Sequence, residues 1–490
     1  MTAAPARSAP LRQRLRQRTA DGRYLSWLGV LRLSLVQMGM AAMLVLADST
    51  FNRVMVVELG LAAVLPGVLL GVYYAVQLSR PRLGYGSDTG GHRTPLIVGG
   101  LLVLAFGTVG AAGAILVMAG NPALGIALAV LAFILIGVGS GAAGTTVLVL
   151  AAKQAPPARR GPVASILWIM LIVGFILSSV VAGSLLDPFS LPRLVAITAG
   201  IAVGGTVLGI LGVWGIERPQ TAPSAADTAD DNGDGATART PFFTALREVW
   251  SEPTARLFTI FVFVSMLAYS AQDLILEPFG GKAFGMTPGE TTMLTAFQNQ
   301  GALMGMLLVG FLCRGDRFGP WSSLRRWAIL GCLGSAAALS GLSLAGAVGA
   351  AWPLKLNIFL LGLGNGAFAI AAVGSMMSLA GRGRSRREGM RMGLWGGAQA
   401  IAMGAGKFSG AAGVDLVGFA ADASATPYMT VFAAEAVLFV AAAAIAARLA
   451  VGPTRTRSAL SDAAAADIGG AATPSTVSAR TGLDAGFSRS

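Results

Sequence analysis

The chain has 490 residues, of which 54% are hydrophobic and 12% are charged. This charged share is about half that of a typical soluble domain, which excludes an ordinary globular protein in water. The formal net charge is +13, but the basic residues are scattered over short segments between apolar runs and form no nucleic-acid-binding face. The composition indicates an integral membrane protein without a nucleic-acid partner.

The first predicted element is a membrane span that follows a basic tail at residues 1–26. The tail is rich in arginine from Arg7 to Arg23. The apolar run at 27–50 is longer than the hydrophobic region of a signal peptide, and no convincing small-residue cleavage site follows it. We expect this run to remain in the protein as its first transmembrane helix.

Apolar runs long enough to cross about 30 Å of hydrocarbon recur along the chain. They predict an all-α integral membrane fold of twelve transmembrane helices. Six belong to an N-terminal half at 27–216 and six to a C-terminal half at 256–450. The predicted spans lie near 27–50, 62–83, 95–118, 123–150, 163–186, 193–216, 256–276, 291–313, 325–346, 353–380, 390–413 and 428–450.

The distribution of basic residues predicts the orientation of these spans. An even number of spans places both termini on one side. That side, with its loops, carries 30 of the 36 Lys and Arg residues, whereas Arg53, Arg193, Lys282 and Lys355 fall on the other. Because cytoplasmic loops are enriched in basic residues, both termini are predicted to be cytoplasmic.

Polar segments separate and follow the two halves. Residues 217–255 form a predicted cytoplasmic linker, disordered from Pro219 to Pro241 because it is rich in Ala, Thr, Asp and Pro. At 242–255 apolar residues recur at helical spacing, which predicts a short interfacial helix before the seventh span. Residues 451–490 lack apolar periodicity and are expected to form a disordered cytoplasmic tail.

Two cytoplasmic loops carry a related motif after the second and eighth spans. The first, GYGSDTGGHR, resembles the major facilitator loop signature Gly-x-x-x-Asp-Arg-x-Gly-Arg-Arg, and the second, CRGDRFG, keeps part of it. A carboxylate in such a loop can tie neighbouring helix ends together and act as a cytoplasmic gate. The alternative is an ordinary Asp/Gly turn. The matching residues are Gly84, Asp88, Gly91, Arg93, Asp316, Arg317 and Gly319.

Glycine spacing in the spans is typical of close helix packing. Gly139 to Gly144 spells G-x-G-x-x-G, but it lies inside a span with no preceding strand, so a nucleotide-binding loop is rejected. Small residues four apart allow helix backbones to approach each other. Such pairs are Gly137/Gly141, Gly301/Gly305 and Gly362/Gly366.

The residue types of catalytic and metal sites are sparse. His92 is the single histidine and lies in a predicted loop, and Cys313 and Cys332 lack metal-ligand or disulfide spacing. No Ser–His–acid or Cys–His set can be assembled within the spans. We therefore predict neither an enzyme nor a directly bound metal.

Polar residues at membrane depth are costly and tend to face a cavity or a partner. Arg32 either snorkels to the cytoplasmic surface or faces such a cavity or partner. Lys407 and Glu435, in consecutive spans, are predicted to form an ion pair. Glu435 and Asp48 are the candidates for proton coupling. The other such residues are Gln37, Asn52, Arg53, Gln272, Asp273, Glu277, Gln298, Asn299, Gln300, Asn357, Asn365 and Gln399.

Four segments resemble the PucC/LhaA family of light-harvesting complex assembly proteins. They are LRLSLVQMGMAAMLVLADSTFNRVMVVELG at 31–60, FVSMLAYSAQDLILEPFGGKAFGMTPGETTMLTAFQNQGALMG at 263–305, GLGNGAFAIAAVGSMMSLA at 362–380 and GLWGGAQAIAMGAG at 393–406. The Gln-Asp…Glu-Pro-x-Gly-Gly run is the most specific part. The resemblance extends over about residues 25–450.

The resemblance implies a protein of the bacterial inner (intracytoplasmic) membrane that helps to build antenna complexes. It implies transient handling of bacteriochlorophyll and contact with antenna polypeptides, pigment-synthesis enzymes and the insertion machinery. We expect Asn, Gln, backbone carbonyl or water to be the pigment ligands. The predicted pigment or partner site is Asn52, Arg53, Gln272, Asp273, Glu277, Gln298 and Asn299; alternatively, these side chains satisfy helix ends and lock the halves together.

Two other functions remain open at this point. The chain could be a secondary transporter of a small or lipophilic solute, since the fold expected is that of transporters. An enzyme of pigment biosynthesis ranks last, because the spans offer no catalytic set.

Overall fold

A computed structural model describes residues 25–77, 93–155, 160–217, 247, 250–313, 316–380, 388–420 and 425–449. Nearly all of the predicted N-terminal tail, most of the 217–255 linker with its short helix and the tail at 451–490 lie outside these residues. So do Gly84, Asp88, Gly91 and the side chains of Asp316 and Arg317.

Six helices form the N-terminal half, and their positions follow the predicted spans. Prolines at the first turns of several helices fit there because their missing amide hydrogen is not needed. The helices are α1 Trp27–Glu58, α2 Val64–Gln77, α3 Thr94–Met118, α4 Pro122–Gln154, α5 Arg160–Leu185 and α6 Leu191–Val213.

Six more helices form the C-terminal half. They are α7 Pro253–Phe284, α8 Pro288–Leu312, α9 Leu324–Val348, α10 Leu354–Ala380, α11 Glu388–Gly418 and α12 Thr426–Arg448. Across the described residues, nine of the twelve helices are long and apolar enough to cross a membrane; α2, α8 and α11 fall outside that set. The all-α membrane architecture is therefore confirmed.

Helix α1 is longer than predicted and irregular. The sequence places its end near residue 50, but the helix continues to Glu58 through two π-helical turns at Leu46–Thr50 and Val54–Glu58. The prediction failed because Asn52 and Arg53 interrupt the apolar run, yet both are buried against other helices. Wide turns of this kind are frequent at functional sites.

The two halves repeat the same set of helix contacts. In the N-terminal half α1 packs on α5 and α6, α3 on α4 and α6, and α2 on α4. In the C-terminal half α7 packs on α11 and α12, α9 on α10 and α12, and α8 on α10. The halves meet through α2 with α11 and α5 with α8. Each contact thus has a counterpart six helices later, as expected for a duplicated bundle.

Helices α8 and α10 approach backbone to backbone through glycines, as the sequence predicted. A side chain added at Gly301 or Gly305 would collide with the backbone of α10, and one added at Gly362 or Gly366 with that of α8. Without these glycines the two helices could not pack at this separation.

Replacing Gly305 with valine tests this packing. The new side chain would meet the Leu363 carbonyl oxygen and the Ala367 amide, so we expect a loss of about 1–3 kcal/mol in stability. Thermal unfolding in a mild detergent measures it. Gly310→Val is the matched control on the same helix, because nothing lies within 4 Å of a side chain added there. Equal unfolding of the two variants would contradict the packing argument.

Candidate functional site

Buried polar side chains collect where α1 of the first half faces α7, α8 and α11 of the second. We call the end of the bundle that carries the α1–α2, α5–α6, α7–α8 and α11–α12 connections the outer end, because it is predicted to face away from the cytoplasm. From about the middle of the helices to this end, hydrogen bonds and ion pairs join the two halves.

A fully buried lysine lies at the centre of this region. Lys407 of α11 pairs with Asp48 of α1 at 2.7 Å and with Asp273 of α7 at 3.1 Å. The lysine side chain has no solvent exposure, and the two aspartates keep only 31% and 23% of theirs. Because Asp48 belongs to one half and Asp273 to the other, the lysine links the halves electrostatically.

The predicted ion pair between Lys407 and Glu435 is wrong. The lysine points toward α1 and α7 and uses two aspartates, whereas both Glu435 carboxyl oxygens have no hydrogen-bond partner among the described residues. Neighbouring spans in sequence share a helix contact, but that contact does not bring every pair of their side chains together.

Two further residues of α1 bind the second half. Asn52 donates its amide to the Leu274 carbonyl oxygen of α7. Thr50 shares a hydrogen bond of 3.2 Å with Thr292 of α8. Together with the aspartate of α1, these bonds hold its π-helical segment against the C-terminal half.

The predicted topology placed Arg53 in an outer loop, but the structure places it within α1. The residue is 2% exposed, and its guanidinium pairs with Glu58 and donates a hydrogen bond of 2.7 Å to the Met286 carbonyl oxygen. Because Glu58 neutralises it and Met286 belongs to the α7–α8 connection, the arginine closes the outer end of the interface. We call Asp48, Asn52, Arg53, Asp273 and Lys407 the inter-half cluster.

The remaining predicted site residues surround this cluster. Glu277 accepts a hydrogen bond from the Thr295 hydroxyl, and Gln298 faces the Asp273 carboxylate. Asn299 donates to a carbonyl of its own helix. Gln272, which is fully buried, has no partner for either amide atom within the described helices.

Two carboxylates missed by the sequence analysis join the halves at the outer end. Asp415 of α11 accepts the Ala63 and Val64 amides at 2.9 and 2.7 Å, which caps the start of α2. Asp187, which follows α5, accepts a hydrogen bond of 2.7 Å from Thr287 at the start of α8. Their signal in the sequence is an aspartate close to the end of a span, a position from which it can cap a facing helix.

At the opposite end, contacts run within each half. The Arg93 and Thr94 amides donate to the Glu217 carboxylate at 2.6 and 2.7 Å, which ties the start of α3 to the end of α6. In the second half Arg325 of α9 donates to the Ala447 carbonyl oxygen of α12. Arg93 therefore lies where two helix ends are joined. Gly319 of the second motif adopts a positive φ of 55°.

Three other polar residues hold helices together inside one half. Arg32 donates to the Leu211 and Trp214 carbonyl oxygens at the end of α6. Asn357 donates to the Ala338 carbonyl oxygen at 2.8 Å. Asn365 accepts a hydrogen bond of 2.8 Å from the Ser335 hydroxyl.

Most residues of the predicted pigment or partner site bind other groups of the protein in this conformation. Asn52, Arg53, Asp273 and Glu277 already bind protein groups. The arrangement supports the alternative role of locking the halves, and contact with a pigment stays a prediction.

A different surface offers apolar space. A groove of about 510 Å³ runs along the membrane-facing side of α1, α5 and α6. Its walls are almost entirely apolar, and α6 contributes glycines whose added side chains would meet nothing within 4 Å. The lining includes Met38, Leu177, Val181, Ile197, Gly200 and Gly204.

Comparison with known proteins identifies a family and several relatives. A family described as "PUCC protein" matches residues 50–453. A Rhodobacter capsulatus protein named "Bacteriochlorophyll synthase 44.5 kDa chain" is 47% identical over 86% of this chain and 95% of its own length. A "Protein PucC" of Cereibacter sphaeroides is 32% identical over 83% of this chain and 88% of its own length.

Solved structures share the fold. A bacterial homolog of the human lysosomal transporter Spinster, in an inward-facing conformation, superposes with a TM-score of 0.64 at 15% identity and covers 86% of this chain and 95% of its own. A D-xylose–proton symporter gives a TM-score of 0.64 at 16% identity, with coverages of 86% and 96%. The fold is that of major facilitator-type transporters.

Replacing Lys407 with methionine tests the inter-half cluster. The variant leaves Asp48 and Asp273 facing each other without a cation, so we expect a loss of about 3–5 kcal/mol in stability. Thermal unfolding in mild detergent measures it, and Lys355→Met, at an exposed helix start near the Phe297 ring, is the control. Adding Asp48→Asn and Asp273→Asn to the methionine variant should restore much of the stability. A single variant as stable as the control would contradict the proposed link.

Proposed function

Because the chain belongs to the PUCC protein family, we propose that it is an assembly factor for bacterial light-harvesting antenna complexes. The observation that carries this proposal is the family match, which extends over nearly the whole membrane bundle. The 47% identical relative supports it, because its name associates that protein with bacteriochlorophyll. The multi-pass helical structure fits a protein that works on partners embedded in the same bilayer.

Bacteriochlorophyll is the proposed cargo rather than a resident cofactor. The apolar groove of α1, α5 and α6 supports this, since a large apolar ring gains by leaving polar surroundings for such a surface. Antenna polypeptides would receive the pigment, and pigment-synthesis enzymes and the insertion machinery are the proposed further partners. The working location is the bacterial inner (intracytoplasmic) membrane, with both termini cytoplasmic.

We propose that the chain is not itself an enzyme, although one relative is named as a chain of a synthase. The strongest candidates for acid–base chemistry, Asp48, Asp273 and Lys407, form ion pairs with one another inside the bundle. A group committed to an ion pair is a poor proton donor or acceptor. The proposal separates handling of the pigment from its synthesis.

A secondary transporter is the second candidate, and one observation favours it. The fold is shared with a proton symporter, and the lysine of the cluster bridges the two halves that would move against each other. In this reading, separation of the halves would expose Asp48 and the solute path. Proton-driven uptake of a solute into vesicles, lost in Asp48→Asn or Glu435→Gln, would favour transport over assembly.

Deleting the gene tests the assembly function. We expect the deletion strain to lose antenna absorption while free bacteriochlorophyll is still made, because assembly fails downstream of synthesis. Absorption spectra of membranes and of pigment extracts measure the two quantities. Expression of the wild-type chain in trans should restore the antenna. An unchanged antenna in the deletion strain, or loss of the pigment itself, would contradict the proposal.

Filling the groove tests the site of cargo contact. The double variant Gly200→Leu/Gly204→Leu projects two side chains into the groove, and no atom within 4 Å opposes them. We expect less bacteriochlorophyll to co-purify in mild detergent and less antenna to form, with unfolding unchanged. Gly310→Leu, on the open surface of α8, is the control. Normal co-purification with the double variant would place the pigment elsewhere.

A further inference from the structure

A second group of buried polar side chains lies inside the C-terminal half, apart from the inter-half cluster. Gln272 of α7 is 0% exposed, and Asn365 of α10 and Glu435 of α12 are each 2% exposed. Five of their polar atoms have no hydrogen-bond partner in the described chain: both amide atoms of Gln272, the Asn365 amide nitrogen and both Glu435 carboxyl oxygens. Unpartnered buried polar atoms are unfavourable, so this number at one level of the bundle requires an explanation.

Aromatic contacts place the three side chains at the same level of the bundle. On the inner side Tyr269 of α7 contacts Phe368 of α10, with ring centroids 6.2 Å apart, and Phe368 contacts Phe439 of α12 at 5.6 Å. Gln272 lies three positions after Tyr269 and Asn365 three positions before Phe368. Glu435 lies four positions before Phe439.

The directions of the three helices place these polar residues at the same level along the bundle. Residues three or four apart share a helix face. Helix α7 runs toward the outer end, whereas α10 and α12 run away from it. All three polar residues therefore lie about 4.5–6 Å outward of the inner aromatic layer, at a rise of about 1.5 Å per residue.

A second aromatic layer closes the group on its outer side. Phe279 of α7 contacts Phe432 and Tyr428 of α12, with centroid distances of 5.1 and 5.9 Å. Phe279 shares its helix face with Gln272, and Phe432 lies one turn outward of Glu435. Gln272 and Glu435 thus lie between two aromatic layers, on facing surfaces of α7 and α12, and Asn365 of α10 lies at the same level.

Within the described residues, neither carboxyl oxygen of Glu435 has a hydrogen-bond partner. Lys407 of α11 pairs with Asp48 and Asp273 instead, and Asn365 of α10 accepts its hydrogen bond from Ser335 of α9. The tyrosines of this region, Tyr269 and Tyr428, are neutral. An unpaired carboxylate buried in apolar surroundings is so unfavourable that the group takes up a proton instead.

We propose that Gln272, Asn365 and Glu435 form a binding site for water inside the C-terminal half, with a proton held on Glu435. A neutral carboxyl offers one donor and a carbonyl acceptor, and the two amides add donors and an acceptor. A water molecule needs two to four such partners, which these side chains supply where the protein itself leaves them unpaired. The proposal does not depend on the antenna function.

Infrared difference spectroscopy of the purified full chain at neutral pH tests both parts. The wild-type minus Glu435→Gln spectrum should contain the carbonyl stretching band of a protonated carboxyl group, shifted by exchange into D₂O. Exchange into H₂¹⁸O should shift a water O–H band that Gln272→Leu removes. The carboxyl band should move in Gln272→Leu as well, because the bound water is lost. Glu435→Gln keeps the shape and neutrality of the site, so the variant should unfold at the same temperature as the wild type.

Glu277→Gln is the matched control, because this carboxyl, which lies on the same helix as Gln272, already binds Thr295. Its spectrum should keep the Glu435 and water bands. Ionised-carboxylate bands in the wild-type minus Glu435→Gln spectrum would overturn the proton assignment. A Gln272→Leu spectrum with unchanged carboxyl and water bands would overturn the water site.

Discussion

The structure depends on the neutralisation of Lys407, a cation with no solvent exposure. Asp273 supplies one carboxylate from the same half, and Asp48 supplies the other across the interface. If the halves separate, Lys407 and Asp273 can remain a neutral pair, whereas Asp48 must be hydrated or protonated. The closed arrangement is therefore coupled to the charge of one aspartate, because an isolated buried carboxylate is strongly unfavourable.

The duplicated architecture explains why the outer end is closed by two similar contacts. Helices α5 and α11 are counterparts, and so are α2 and α8. Asp187 at the end of α5 binds the start of α8, and Asp415 near the end of α11 binds the start of α2. In each case a carboxylate lies at a helix N-terminus of the other half, where the helix dipole favours negative charge. Asp415 accepts two backbone amides there, and Asp187 accepts the Thr287 hydroxyl.

The sequence was sufficient for features that lipid determines locally. Apolar runs predicted the helices, and the Gly301/Gly305 and Gly362/Gly366 spacings predicted close helix packing, although not which helices meet. It was insufficient where polar residues face protein, because Asn52 and Arg53 then look like the end of a span although α1 continues to Glu58. The partners of Lys407 could not be predicted for a related reason: Asp48 is distant in sequence, and only the packed halves bring the two together.

The distribution of polar and apolar surface bears on how a cargo could move. In this conformation the polar groups between the halves bind one another, so a polar solute would have to replace several ion-pair and hydrogen-bond partners to enter. The groove on α1, α5 and α6 needs no such exchange, since lipid chains can fill it when a cargo leaves. Its occupant would exchange laterally with the bilayer, against apolar walls that form few directional bonds. An apolar ring delivered to a membrane-embedded polypeptide meets these conditions, whereas a water-soluble substrate does not.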